Sequence, residues 1–297
     1  SDVVAIHRST GRRGPVTTAL AWGQGALLRG ADAAGCVTAR LAGLLARRHR
    51  LDPARLFAVP NGAWLPPDVP EAATLRRARG VPDDCCLFAF AGNLNRIQGL
   101  EGLLHAVSRA GGGSPTAPRV RLWIIGDAPE RARLAREARA LGMEGRVDLL
   151  GGLPEEEAAR HLQAAQAVVS PYARADFERA GADSLKALQG LACGRPVLLT
   201  AGTEPAEIGV NEAVIAVPEE DPDAWTAAID RLAAAWQAAG SPLRGWPWPE
   251  GTGPGRAWIE AHRTWDHTAA AWEPVFAKAL AVAVARGVSC SSAPRSR

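Results

Sequence analysis

The stretch Cys86-Leu87-Phe88-Ala89-Phe90-Ala91-Gly92-Asn93-Leu94-Asn95-Arg96-Ile97-Gln98-Gly99 decides the architecture of this chain. A strand with one wet face would alternate apolar and polar residues. Residues 86–91 carry no polar interruption, so they predict a strand buried on both faces, closed by Gly92. A helical pattern follows over 99–110. The same rhythm repeats downstream: strands over 120–125, 147–150, 167–170, 196–199 and 214–217 alternate with helices over 129–141, from Pro154, over 184–192 and over 222–238. Glu155-Glu156-Glu157 behind Pro154 suits a helix N-terminus, where acids meet the positive end of the dipole. Continuous apolar strands alternating with amphipathic helices predict an α/β fold with a doubly wound parallel sheet over residues 69–238.

Working outward, residues 3–7 read as a strand ending in His7, so the chain reads as beginning inside a domain. Helical patterns follow over 16–34 and 39–49, with short strands over 34–38 and 56–59. Pro60-Asn61-Gly62 marks a turn and the proline-rich stretch 63–70 a linker. Residues 1–68 are thus expected to be part of an N-terminal domain plus linker. Residues 239–256 read as a Gly/Pro/Trp-rich loop, and 287–297 as a polar, disordered tail. Residues 257–286 read as one long helix whose Trp258, Trp265 and Trp272 recur every seventh residue as a core-packing stripe.

Composition narrows the function classes. With 47% hydrophobic and 22% charged residues, the chain can bury a core and is not disordered. A net charge of +3 is too small to signal a nucleic-acid partner. No uninterrupted apolar run approaches the roughly eighteen residues of a membrane span, which excludes an integral membrane protein on sequence grounds. The five cysteines are odd in number and form no CxxC pair, so a reduced cytoplasmic setting is expected. Lysine occurs only at positions 186 and 278 while arginine supplies every other basic residue, which singles out Lys186.

In a doubly wound sheet, ligands bind at the carboxyl ends of the strands. Four segments fall there. Gly92–Gly99 is a loop whose backbone N–H groups suit a phosphate, with Arg96 as a charged donor. It is neither GxGxxG nor a Walker loop, so a plain dinucleotide fingerprint is absent. Gly126-Asp127 and Gly151-Gly152-Leu153 end the next two strands; ordinary turns account for either one taken alone. Gly181–Val197 opens a helix one turn before Lys186, a point charge suited to a phosphate. His49, His105, His161, His262 and His267 show no metal-ligand spacing and read as surface or packing residues.

In order and spacing, Pro60-Asn61-Gly62, Gly92-Asn93-Leu94 with Gln98-Gly99-Leu100, Ile125-Gly126-Asp127, Leu150-Gly151-Gly152, and Ser184-Leu185-Lys186 before Ala192-Cys193-Gly194-Arg195-Pro196-Val197 resemble the donor half of the family 4 glycosyltransferases of GT-B fold, over about residues 56–235. Thr264–Thr268 and the helix after it resemble that family's closing helix, which returns to the first domain. The resemblance implies a complete donor domain and a partly present acceptor domain. It implies a retaining transferase moving a sugar from a nucleoside-diphosphate sugar, UDP by family habit, to a glycan or lipid-linked acceptor. The branch most similar handles amino-sugars or deoxysugars in surface-polysaccharide assembly.

Carried onto this chain, the resemblance places the donor diphosphate on Gly92, Asn93, Arg96, Gln98 and Lys186. The nucleoside falls on Gly126, Asp127, Gly152, Leu153 and Gln189, and the donor sugar on Gly181, Ala182 and Asp183. His7 and Glu178 are the catalytic candidates. Four positions depart from the family: Asn93 and Gln98 replace Arg and Lys, and Gly181 and Gln189 replace two glutamates eight apart. Glu178 and Asp183 are the neighbouring carboxylates. No metal or cofactor is implied, because Arg96, Lys186 and a helix N-terminus meet the diphosphate charge. Peripheral contact with the inner face of a membrane is implied through the acceptor half. A donor-binding remnant or regulatory subunit without activity, and a GT-B sugar-nucleotide epimerase, are the alternatives.

Overall fold

The computed structural model describes residues 14–68, 72–111, 119–173, 183–203, 212–218, 221–240 and 253–286. The expected strand over 3–7, most of the loop over 239–256 and the tail over 287–297 lie outside the described residues.

The central sheet contains β3 (Cys85–Ala91), β4 (Arg119–Ile125), β5 (Val147–Gly151), β6 (Ala167–Ser170), β7 (Val197–Thr200) and β8 (Val214–Val217). All neighbours pair in parallel, in the order β5-β4-β3-β6-β7-β8. That is the doubly wound order, which reverses between β3 and β6. Side chains of β3 alternate between two cores. Cys86, Phe88 and Phe90 enter the core under α4 (Leu100–Arg109), α5 (Arg131–Ala140) and α8 (Pro222–Ala238). Cys85, Leu87 and Ala89 enter the core under α6 (Glu155–Ala164), α7 (Leu185–Ala192) and α9 (Pro254–His262). Both faces are dry, which explains the unbroken apolar run. Gly190 lets α7 press on the sheet: a Cβ there would lie 2.9 Å from Val168 and Val197.

The N-terminal part is a small βαβ unit. β1 (Ala34–Cys36) and β2 (Leu56–Ala58) pair in parallel around α2 (Ala39–His49), after α1 (Pro15–Gly30). Thr38 starts α2 by accepting the Leu41 N–H at 2.9 Å.

Three expectations need correction. A helix, α3 (Ala72–Ala78), occupies a stretch without a sequence assignment. It is held by Arg76, fully buried, whose guanidinium donates to the carbonyls of Ala164 (3.2 Å) and Cys85 (2.6 Å) and to Gln166 Oε1 (2.7 Å). Arginine-rich sequence reads as surface, and only the facing carbonyls make this burial tolerable.

The expected single helix over 257–286 is three: α9, α10 (Trp265–Ala271) and α11 (Glu273–Ala285). The chain breaks at Arg263, whose carbonyl accepts the Ala63 N–H at 2.7 Å instead of continuing a helix. The tryptophans therefore form no common stripe. Trp258 packs on the core beneath α7, Trp265 is 48% exposed, and Trp272 covers Gly35 of β1 and stacks on Phe276 at 5.7 Å. Trp272 and an ion pair between Arg286 and Asp32 (2.8 Å) tie this last segment to the N-terminal unit.

The third correction concerns apolarity. Residues Trp265–Ala285 are long and apolar enough by composition to cross a membrane, with a mean hydropathy of 1.3, and only 6% of that window is buried. Asp266, Glu273 and Lys278 interrupt the run, which hides it from a search for unbroken apolar sequence.

The histidines among the described residues behave as packing or surface groups. His161 is buried against Trp123, 5.2 Å between ring centroids, and burial pulls its pKa below the usual imidazole value. Four cysteines are free and buried. Burial pushes the Cys85 thiol up to about 11 and the Cys193 thiol up to about 12, so neither is a nucleophile at neutral pH.

Candidate functional site

The strand order reverses between β3 and β6, and the carboxyl ends of those strands form the crevice where such sheets take ligands. Glycines shape one side of it. Gly92 N–H donates to the Ile125 carbonyl at 2.9 Å, and Gly126 N–H to the Gly151 carbonyl at 2.8 Å, so the ends of β3, β4 and β5 are laced through their backbones. Gly126 has φ +146, and a Cβ there would lie 1.9 Å from the Gly92 carbonyl oxygen. No side chain fits. Gly126→Ala is expected to lose at least the roughly 1–3 kcal/mol of a strained backbone position and to part the two loops. Denaturant unfolding measures the loss, and an unchanged midpoint would contradict this packing. Gly152 lies beside Asp127, its would-be Cβ 3.7 Å from the Asp127 Cβ, and Asp127 is exposed with Oδ1 accepting the Ala128 N–H at 3.0 Å. Gly126, Asp127 and Gly152 thus gather at one end of the sheet, with Leu153 next in the chain.

The other side of the crevice is the start of α7. Ser184 caps it, its Oγ accepting the Ala187 N–H at 3.2 Å. Lys186 follows in the first turn and leans across the switch point. Its stem passes over Gly92, where a Cβ would meet the Lys186 Cδ at 2.8 Å. Its ammonium donates to the Tyr172 hydroxyl at 2.7 Å and sits 4.2 Å from the centroid of the Tyr172 ring. Sequence reasoning reached Lys186 and Gly92 separately; the structure brings them into contact.

Other expected residues fare differently. Asn93 and Arg96 are exposed on the loop after β3. Gln98 is turned into the protein by the 3₁₀ turn Arg96–Gln98: it is 7% exposed and its Oε1 is buried, so it does not present itself as a surface donor to a diphosphate. Gln189 commits its amide N–H to the Trp64 carbonyl at 3.2 Å, which joins α7 to the segment after Asn61.

Asp183 is corrected outright. Its side chain is fully buried, with Oδ1 accepting from the Arg263 guanidinium at 2.8 Å and Oδ2 from the Asn61 N–H at 2.8 Å. The carboxylate clamps three distant segments together and is not offered to a sugar. His7, Glu178, Gly181 and Ala182 lie outside the described residues.

Sequence reasoning missed Tyr172 and Arg263. Tyr172 had a signal, being the single tyrosine of the chain and standing just past a strand's carboxyl end. Arg263 had none, as one arginine among many.

A doubly wound parallel sheet with a glycine-lined crevice and a cation at its switch point defines an α/β protein of Rossmann-like type. Residues 86–235 match the family described as glycosyl transferases, group 1, and the chain belongs to that family. It is 33% identical over 189 residues to the D-inositol 3-phosphate glycosyltransferase of Corynebacterium urealyticum, covering 60% of this chain and 43% of that one. The chain spans about half the length of the curated relatives it matches. Among solved structures, the sucrose-phosphate synthase of Thermosynechococcus elongatus superposes with a TM-score of 0.73 at 22% identity, over 95% of this chain and 67% of that one. Anabaena HepE, solved in complex with UDP and glucose, superposes with a TM-score of 0.62 at 15% identity, over 91% and 67% of the two chains. The fold is therefore of GT-B glycosyltransferase type.

Proposed function

We propose that this chain carries the donor half of a retaining glycosyltransferase that takes a nucleoside-diphosphate sugar, UDP-linked, and passes the sugar to a glycan or lipid-linked acceptor. The observation that carries this reading is Lys186 lying against Gly92 at the switch point of the sheet. There the ammonium and the positive end of the α7 dipole lie beside the place a diphosphate would take, and Arg96 is an exposed cation on the adjoining loop. Gly126, Asp127, Gly152 and Leu153 would take the nucleoside. The UDP held by HepE, a protein of the same fold, supports the choice of nucleotide. The role of the cations is electrostatic: they stabilise the charge that grows on the leaving diphosphate as the sugar departs, without a metal ion. In this reading residues 1–68 belong to the acceptor half and residues 69–238 form the donor domain. The protein works in the cytoplasm, at the inner face of a membrane when its acceptor is a lipid.

The buried clamp on Asp183 favours one other reading. With that carboxylate engaged, the described residues offer the sugar fewer acidic contacts, as in a donor-binding module that does not catalyse transfer.

Thermal shift with UDP, GDP and ADP, with and without EDTA, tests the donor reading. UDP is expected to raise the melting temperature equally in both conditions. No shift with any nucleotide contradicts the reading, and a shift lost on adding EDTA contradicts metal independence. Nucleotide binding without hydrolysis or transfer to crude lipid and glycan acceptors selects the second reading.

A further inference from the structure

We propose that Tyr172 is the positioning residue for Lys186, fixing its ammonium at the mouth between β3 and β6 where it meets a diphosphate; this rests on the donor-site reading above. Lysine has a long, flexible stem, and an untethered ammonium would lose much rotamer freedom on meeting a ligand. Here the freedom is already gone. The Tyr172 hydroxyl accepts one ammonium hydrogen at 2.7 Å, and the ring lies 4.2 Å away as a cation–π partner. An ammonium has three hydrogens, so a phosphate oxygen joins this arrangement without displacing the tyrosine.

Tyr172 is itself held from both sides. It is 8% exposed, and its backbone N–H donates to Thr200 Oγ1 at 2.9 Å, at the end of β7. Its hydroxyl donates to Ser184 Oγ at 3.4 Å. Ser184 Oγ also accepts the Ala187 N–H, so its own hydrogen goes to Ser170 Oγ at 2.9 Å. The ammonium is thus wired through Tyr172 to the cap of its own helix and to the last residue of β6. This couples the height of the charge above the sheet to the two elements that form the crevice.

The two-lysine composition allows a direct test. Reductive methylation with ¹³C-formaldehyde puts two lysine resonances in the spectrum, with Lys278 as internal reference. The Lys186 resonance is expected to be displaced from that of Lys278 by the Tyr172 ring current, and Tyr172→Phe, which keeps the ring and the volume, to shrink the displacement as the ammonium loses its anchor. In calorimetry with UDP, Tyr172→Phe is expected to weaken binding about tenfold and to add no further loss in a Lys186→Ala background. Coincident lysine resonances in the parent protein, an unchanged Lys186 resonance in Tyr172→Phe, or a full additional loss in the double variant would each overturn the proposal. If the parent protein binds no nucleoside diphosphate, the donor-site reading fails, while the two resonances still decide whether Tyr172 holds Lys186.

Discussion

Lys186→Ala is expected to weaken UDP binding by roughly 10–150-fold while leaving the fold intact. The figure is the loss of a charge-assisted hydrogen bond, about 1.5–3 kcal/mol, converted to affinity. The site makes the full range reachable. The ammonium is half-buried, anchored by Tyr172 and set beside a backbone stripped of side chains at Gly92 and Gly126. Few rotamers have to be given up on binding, so most of the interaction appears as affinity. The fold survives because Lys186 is not fully buried and, among the described residues, is paired with no carboxylate that its loss would strand. Lys186→Arg is not a neutral exchange: the stem already lies 2.8 Å from the space a Gly92 Cβ would fill, and a planar guanidinium is bulkier than an ammonium. Lys278→Ala, on α11, provides the control and should leave affinity unchanged. Equal UDP affinities for the parent protein and Lys186→Ala in calorimetry would remove the diphosphate from this helix.

Arg263→Met is expected to destabilise the protein by about 3–5 kcal/mol, the cost of leaving a buried charge without its partner. Asp183 has a fully buried side chain, Arg263 is 8% exposed there, and they meet at 2.8 Å. The Asn61 N–H donates to the second carboxylate oxygen at 2.8 Å, and the Asn61 side chain donates to the Asp183 carbonyl at 3.1 Å. Removing the guanidinium leaves an anion in the protein interior without this charged partner. For a protein of this size the melting temperature should fall on the order of 10 °C. Asp183→Asn alone should also destabilise, since it strands the arginine. The double variant Asp183→Asn/Arg263→Met should recover part of the loss, because neutral groups of similar shape carry no desolvation penalty. Single variants within half a kcal/mol of the parent would show that the pair is solvated and not a clamp. Because Asp183 immediately precedes the cap of α7, the single variants should also disturb UDP binding more than their distance from the crevice suggests.

Much of the fold is legible in the sequence, for a physical reason. A strand covered on both faces must be apolar along its length, so β3 appears as an unbroken run, and β6 and β7 are apolar up to Ser170 and Thr200. A helix lying on such a sheet shows its apolar stripe, and glycines appear where strand ends approach one another. The motifs at Gly92, Gly126, Gly152 and Lys186 sit at the end of a strand or the start of a helix, positions that local patterning defines.

Other features rest on contacts between segments far apart in the chain. Arg76 looks like any surface arginine until the carbonyls of Ala164 and Cys85 surround it. The break at Arg263 arises because a linker strand offers the Ala63 N–H to its carbonyl. Locally, Thr264 and His267 form the capping box that opens α10 just after it. Asp183 read as a sugar contact from its place in a motif and proved to be a strut, because a carboxylate's role depends on which donors fold against it. Tyr172 and Lys186 stand fourteen residues apart, and only the packing of α7 over β6 and β7 joins them. By itself the sequence determined the doubly wound sheet and its order of elements, since both follow from local burial patterns, and its motifs carried the family resemblance. The tertiary structure alone decided which polar groups are spent on holding the chain together and which remain for a ligand, because hydrogen-bond partners are assigned by proximity in space.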